Sequence, residues 1–129
     1  MQRLNSRVSF SVCLIAVLSL LLSACQMAPV RGGMVQQENL LDGVYEGSYR
    51  SGPNSAVVKV TISKGEIVNI ELVKHVASWK GKQADHIIPQ RIMAEQSTDV
   101  DAVSGATNSS RVIMNAVQNA VEKAHGSNM

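Results

Sequence analysis

Residues 112–124 constrain the fold more than any other stretch. Val112, Ile113, Ala116, Val117, Ala120, Val121 and Ala124 recur at helical spacing, while Arg111, Asn115, Gln118, Asn119, Glu122 and Lys123 take the opposite face. Such a stripe predicts an amphipathic helix whose apolar side is covered by the rest of the fold. Packing the stripe also fixes where the helix N-terminus points. The chain reaches that end through Asp101-Ala102-Val103-Ser104-Gly105-Ala106-Thr107.

The surface to be covered is predicted upstream. In Gly43 to Arg50, Tyr45 and Tyr49 share one side with Gly47 between them, a strand pattern with a glycine for close approach. After a turn at Ser51-Gly52-Pro53-Asn54, Val58, Val60 and Ile62 alternate with Val57, Lys59 and Thr61. Lys64-Gly65 turns the chain again into Glu66 to Val76, which carries Ile67, Val68, Ile70, Leu72 and Val73. Three strands joined by tight turns make an antiparallel meander with one face in need of cover. A first helix, from Ala84 or Pro89 to Gln96, offers Ile87, Ile88, Ile92 and Met93 for that purpose. The expectation is a small single α+β domain over residues 40–125, with an antiparallel sheet of three or slightly more strands under two helices. Residues 126–129 form a tail.

The N-terminal segment reads as a transport signal. Arg3 and Arg7 precede an uncharged apolar run from Val8 to Leu22, shorter than a spanning helix needs. It ends in Leu22-Ser23-Ala24-Cys25, which resembles the lipobox of bacterial lipoproteins. That resemblance implies a signal peptide over residues 1–24, cleavage before Cys25 and acylation of its sulfur; a plain secretory signal or short anchor is the alternative. The other cysteine, Cys13, lies within the discarded part. Residues 25–39, with Pro29, Gly32, Gly33, Gln36 and Gln37, read as an acylated cysteine and flexible tether. A strand through Met34-Val35 is the alternative there, without a visible partner. Without Arg3 and Arg7, ten basic residues face ten acidic ones and no basic run remains, which argues against a nucleic-acid partner. The aromatics beyond residue 24 are Tyr45, Tyr49 and Trp79, so the core rests on Val, Ile, Leu and Ala.

Chemistry concentrates at 101–110. Thr107, Asn108 and Ser109 are all good N-cap residues, so a turn that caps the last helix accounts for them structurally. The same helix end favours a phosphate, through its free N–H groups and its dipole. A hydrolase is disfavoured: no Gly-x-Ser-x-Gly elbow is present, and no histidine is tied to Ser104 or Thr107.

Asp101-x-x-Ser104-Gly105-Ala106-Thr107, followed by Asn108-Ser109-Ser110, resembles the flavinylation motif of FMN-binding domains, found in the sodium-pumping NADH:quinone reductase, Rnf complexes and exported flavoproteins. Asp42 to Gly47 resembles the opening strand of that family, and Ile88 to Ile92 with Glu95-Gln96-Ser97 its pre-motif helix. The resemblance implies covalent FMN joined by a phosphoester to Thr107. Ser104, Gly105 and Ala106 shape the loop, Asp101 takes the acidic position, and Asn108 stands at the helix end that neutralises phosphate. It implies a flavin transferase as partner, with FAD and a divalent metal as its requirements. Redox proteins or quinone-linked membrane complexes would exchange the electrons, at the extracytoplasmic face of a bacterial membrane. Such a chain need not be an enzyme with its own substrate.

His75 to Lys82 departs from the acidic, threonine- and glycine-bearing loop that larger family members place after the third strand. Trp79 is either a stacking partner for the flavin ring or a packing residue. His75 and His86 read as surface histidines, and no metal site is expected. Two other functions remain open, the flavin module of an exported multi-subunit reductase and a cofactor-free lipoprotein that binds a partner through an open strand edge near Tyr45 to Tyr49.

Overall fold

The computed structural model describes residues 27–126. The signal peptide and Cys25 lie outside them, as does most of the tail. Strands β1 (Gly43–Ser51), β2 (Asn54–Ser63) and β3 (Glu66–Val76) form one sheet in the order β1-β2-β3, antiparallel at both junctions. Helices α1 (Ala84–Glu95) and α2 (Thr107–Ala124) follow. The predicted α+β architecture is the observed one.

Alternation drives the sheet, because successive strand residues face opposite ways. Ala56, Val58, Val60 and Ile62 of β2 are all buried, with Tyr45, Gly47 and Tyr49 of β1 paired beside them. In β3 the pattern is broken by two register shifts opposite Val57/Val58 and Thr61/Ile62. Ile67 and Ile70 face inward, while Val68 and Val73, apolar residues of the same strand, are about half exposed. The bulges change which residues face inward, which simple alternation does not anticipate.

All seven stripe residues of α2 are buried. The helix lies so close to β1 that a Cβ on Gly47 would sit 2.0 Å from the Ala116 carbonyl oxygen. Side chains of α2 also reach the outer edge of β1. Asn119 Nδ2 donates to Ser48 O at 2.7 Å and Lys123 Nζ to Glu46 O at 2.6 Å. The strand edge that would favour cofactor-free partner binding is therefore partly taken by the protein's own helix. On α1, Ile88 and Ile92 are buried, but Ile87, an expected core residue, points outward at 37% exposure. Pro89 sits in the body of α1 and is itself buried.

The segment expected to be a free tether is docked. Ala28 is 1% exposed, and the chain after it runs along α2. Arg111 Nη1 donates to Ala28 O, Asn115 Nδ2 to Pro29 O at 2.8 Å, and Arg31 Nη1 to Asn119 Oδ1. Farther on, Met34 pairs with Ser97 in an isolated antiparallel bridge, and Thr98 N donates to Gly33 O. Polar α2 residues thus supply the partners that composition alone does not reveal. Asn115, expected to face solvent, is 1% exposed beneath this strap. Its hydrogen bond to Pro29 offsets the cost of burying the amide.

Candidate functional site

The loop between α1 and α2 is shaped from its C-terminal end. Ala106 N donates to Val103 O at 2.9 Å, and Gly105 has φ of +78°. A turn over 103–106 with a left-handed third residue is of type II, where glycine carries no steric cost. A Cβ on Gly105 would meet nothing within 4 Å, so conformation rather than crowding selects the residue.

Ser110 fastens this turn from below. Its fully buried hydroxyl accepts the Val103 N–H at 3.0 Å and donates to Ala106 O at 2.8 Å. Sequence reasoning placed Ser110 only in a hydroxyl-rich helix entrance. The available signal was its position four residues after Ala106, where a serine can bond back to the preceding turn.

Thr107 is the first residue of α2 and half-buried. The expected side-chain cap by Thr107, Asn108 or Ser109 does not form: Ala106 is the N-cap, with no side-chain cap bond. All three candidates lie inside the first turn, because the 103–106 turn delivers the chain into the helix one residue earlier. Ser110 N donates the first helical bond to Ala106 O at 2.8 Å, leaving the N–H groups of residues 107–109 without intrahelical acceptors. This end of α2 is polarised to favour an anion. Ser104 and Gly105 are exposed, Ala106 is buried, and the Asn108 Oδ1 accepts the Ala28 N–H at 2.9 Å.

Asp101 is exposed, and its main-chain oxygen accepts Arg91 Nη1 from α1 at 2.6 Å. That bond ties the loop to α1 through the backbone and leaves the Asp101 carboxylate outside it.

A second loop backs onto the same helix turn. A Cβ on Gly81 would lie 2.3 Å from Ser109 Oγ, so residues 78–83 sit directly against the entrance to α2. Lys82 N and Gly81 N donate to Ser78 O and Ser78 Oγ, closing this loop on itself. Trp79 at its tip is 74% exposed, with Lys80 Nζ 5.7 Å from its ring centroid. The two histidines lie elsewhere. The His75 side chain, read as a surface group, is only 2% exposed and its Nδ1 lies 2.5 Å from Asp85 Oδ1. His86 is exposed on α1, lining a groove with Leu72, Pro89 and Met93 that contains no residue of 101–108.

Residues 53–122 match the FMN-binding domain family. A protein of Treponema pallidum (strain Nichols), described only as uncharacterized, is 38% identical over 87 residues, which cover 64% of this chain and 23% of that protein. The present chain therefore spans less than a quarter of the length of the curated relative it matches. The family match takes in β2, β3, α1, most of α2 and the whole 101–107 loop, and the chain belongs to the FMN-binding domain family, a flavin-binding protein.

Proposed function

We propose that this protein is an electron-carrying flavoprotein with FMN esterified to Thr107, held by acyl chains on Cys25 at the extracytoplasmic face of a bacterial membrane. The observation that carries the reading is the position of Thr107. It is the first residue of an uncapped helix, directly after an exposed turn with open space over Gly105. These residues fit a phosphate-linked group. The free N–H groups of residues 107–109 offset phosphate charge, and the Ser110 clamp keeps the acceptor loop in one conformation.

Attachment is a transfer catalysed in trans by a flavin transferase with a divalent metal. The Thr107 oxygen forms a bond to the FMN phosphorus of FAD, the pyrophosphate bond breaks, AMP leaves and the hydroxyl proton passes to the transferase. No internal base is needed for this. The covalent link keeps the cofactor in place in dilute surroundings. Once attached, FMN supplies the redox chemistry, and the chain's part is to hold and orient it.

Intact-mass measurement on protein co-produced with a flavin transferase tests the reading. The expected result is an FMN mass increment that disappears in Thr107→Ala. An increment that persists in that variant would remove Thr107 from the site. A second reading, the flavin module of a larger exported reductase, is favoured by the similar segment lying within a much longer relative. Co-purification of a dehydrogenase-like subunit would select it.

A further inference from the structure

Two segments distant in sequence converge on the first turn of α2. The strap arrives through Ala28, whose N–H is 2.9 Å from Asn108 Oδ1. The 78–83 loop arrives through Gly81, packed on Ser109. Each brings groups suited to a lipid surface. Met27, just before Ala28, is 53% exposed, and Trp79 is 74% exposed beside exposed Lys80 and Lys82. Tryptophan favours the headgroup layer of a bilayer, and lysines beside it are attracted to anionic lipid. Chain length adds an independent restraint. Cys25 is three residues from Ala28, and three residues of extended chain reach no farther than about 11 Å.

We propose that the end of the domain bearing Thr107 rests on an anionic lipid surface, with Trp79, Lys80 and Lys82 in the headgroup layer and the docked strap holding that end close to the acylated Cys25. This rests on the anchor and attachment proposed above and adds an orientation to them. The acyl chains supply durable binding; the strap and the tryptophan loop decide which face meets the lipid. An electron partner must then be reachable from the membrane surface, which favours a membrane-embedded redox centre over a freely diffusing one.

Trp79 is the only tryptophan in the chain, so its emission reports this loop alone. The test uses the full, acylated protein in vesicles of phosphatidylethanolamine and phosphatidylglycerol, with and without bromine on the upper acyl chain. The expected result is a blue shift and a large loss of Trp79 emission to the brominated lipid. Equal emission from brominated and plain vesicles would overturn the proposal. A flexible glycine-serine insert of about ten residues between Gln26 and Met27 lengthens the connection without touching the fold. It is expected to reduce the quenching severalfold, and unchanged quenching would remove the strap from the account.

Protein mass reports acylation and flavin fluorescence reports attachment, each separately from Trp79. Lipid quenching in acylated but flavin-free protein supports the orientation while the attachment reading fails. A chain without acyl groups on Cys25 overturns the orientation together with the anchor.

Discussion

The Ser110 hydroxyl accepts the Val103 N–H at 3.0 Å, joining the start of the 103–106 turn to the helix that follows it. Through its second bond, to Ala106 O, the same oxygen spans the turn that leads into Thr107. Ser110→Ala leaves the half-buried Val103 N–H without this acceptor, a loss of about 0.5–1.5 kcal/mol. The variant should remain folded by circular dichroism, melt earlier and accept FMN more slowly from a transferase. Wild-type incorporation kinetics would show that the clamp is irrelevant to acceptor presentation.

Two glycines separate backbone strain from crowding. At Gly105 an added Cβ meets open space but φ is +78°, so Gly105→Ala should cost about 1–2 kcal/mol. Its effect should fall mainly on flavin incorporation. At Gly47 the Cβ would lie 2.0 Å from Ala116 O, and Gly47→Ala must push α2 off the sheet, costing about 1–3 kcal/mol or more. Denaturant titration of both variants checks the ordering, with Gly47→Ala expected to be the less stable.

The His75–Asp85 pair joins β3 to the first turn of α1. His75 Nε2 is buried and has no hydrogen-bond partner among the described residues, so Nδ1 carries the polar contact of the ring. Asp85→Ala should destabilise by about 1–3 kcal/mol by orphaning the second nitrogen as well. Adding His75→Leu should recover much of the loss, since an apolar side chain needs no partner there. A double variant no more stable than Asp85→Ala would count against this account.

The elements were legible where one face is buried and the period is unbroken. The α2 stripe and the Val58, Val60, Ile62 row needed only periodicity, and each found its predicted cover. What escaped depends on contacts between distant residues. Asn115 looks like a solvent-facing amide until Pro29 lies across it, and the polar 27–35 segment looks free until α2 offers partners. The 101–107 loop shows the same division. Gly105 announces its turn in sequence, whereas the withdrawal of Thr107, Asn108 and Ser109 from capping follows from where the Ser110 clamp starts the helix. Trp79 is visible as a candidate, but its exposure, and the packing of Gly81 against Ser109 beside it, depend on how the 78–83 loop closes.

The chain's last helix lies across its first strand, with Gly47 under Ala116 and Ala120. If the chain crosses a membrane N-terminus first, as the proposed lipid anchor requires, β1, β2 and β3 emerge before anything exists to cover them. The turn over Thr107 gains its clamp only once Ser110 has followed, and α2 gains its seat only once residues up to Ala124 are across. A modifying enzyme that recognises the finished turn would thereby act on fully delivered chains and pass over those stalled in transit.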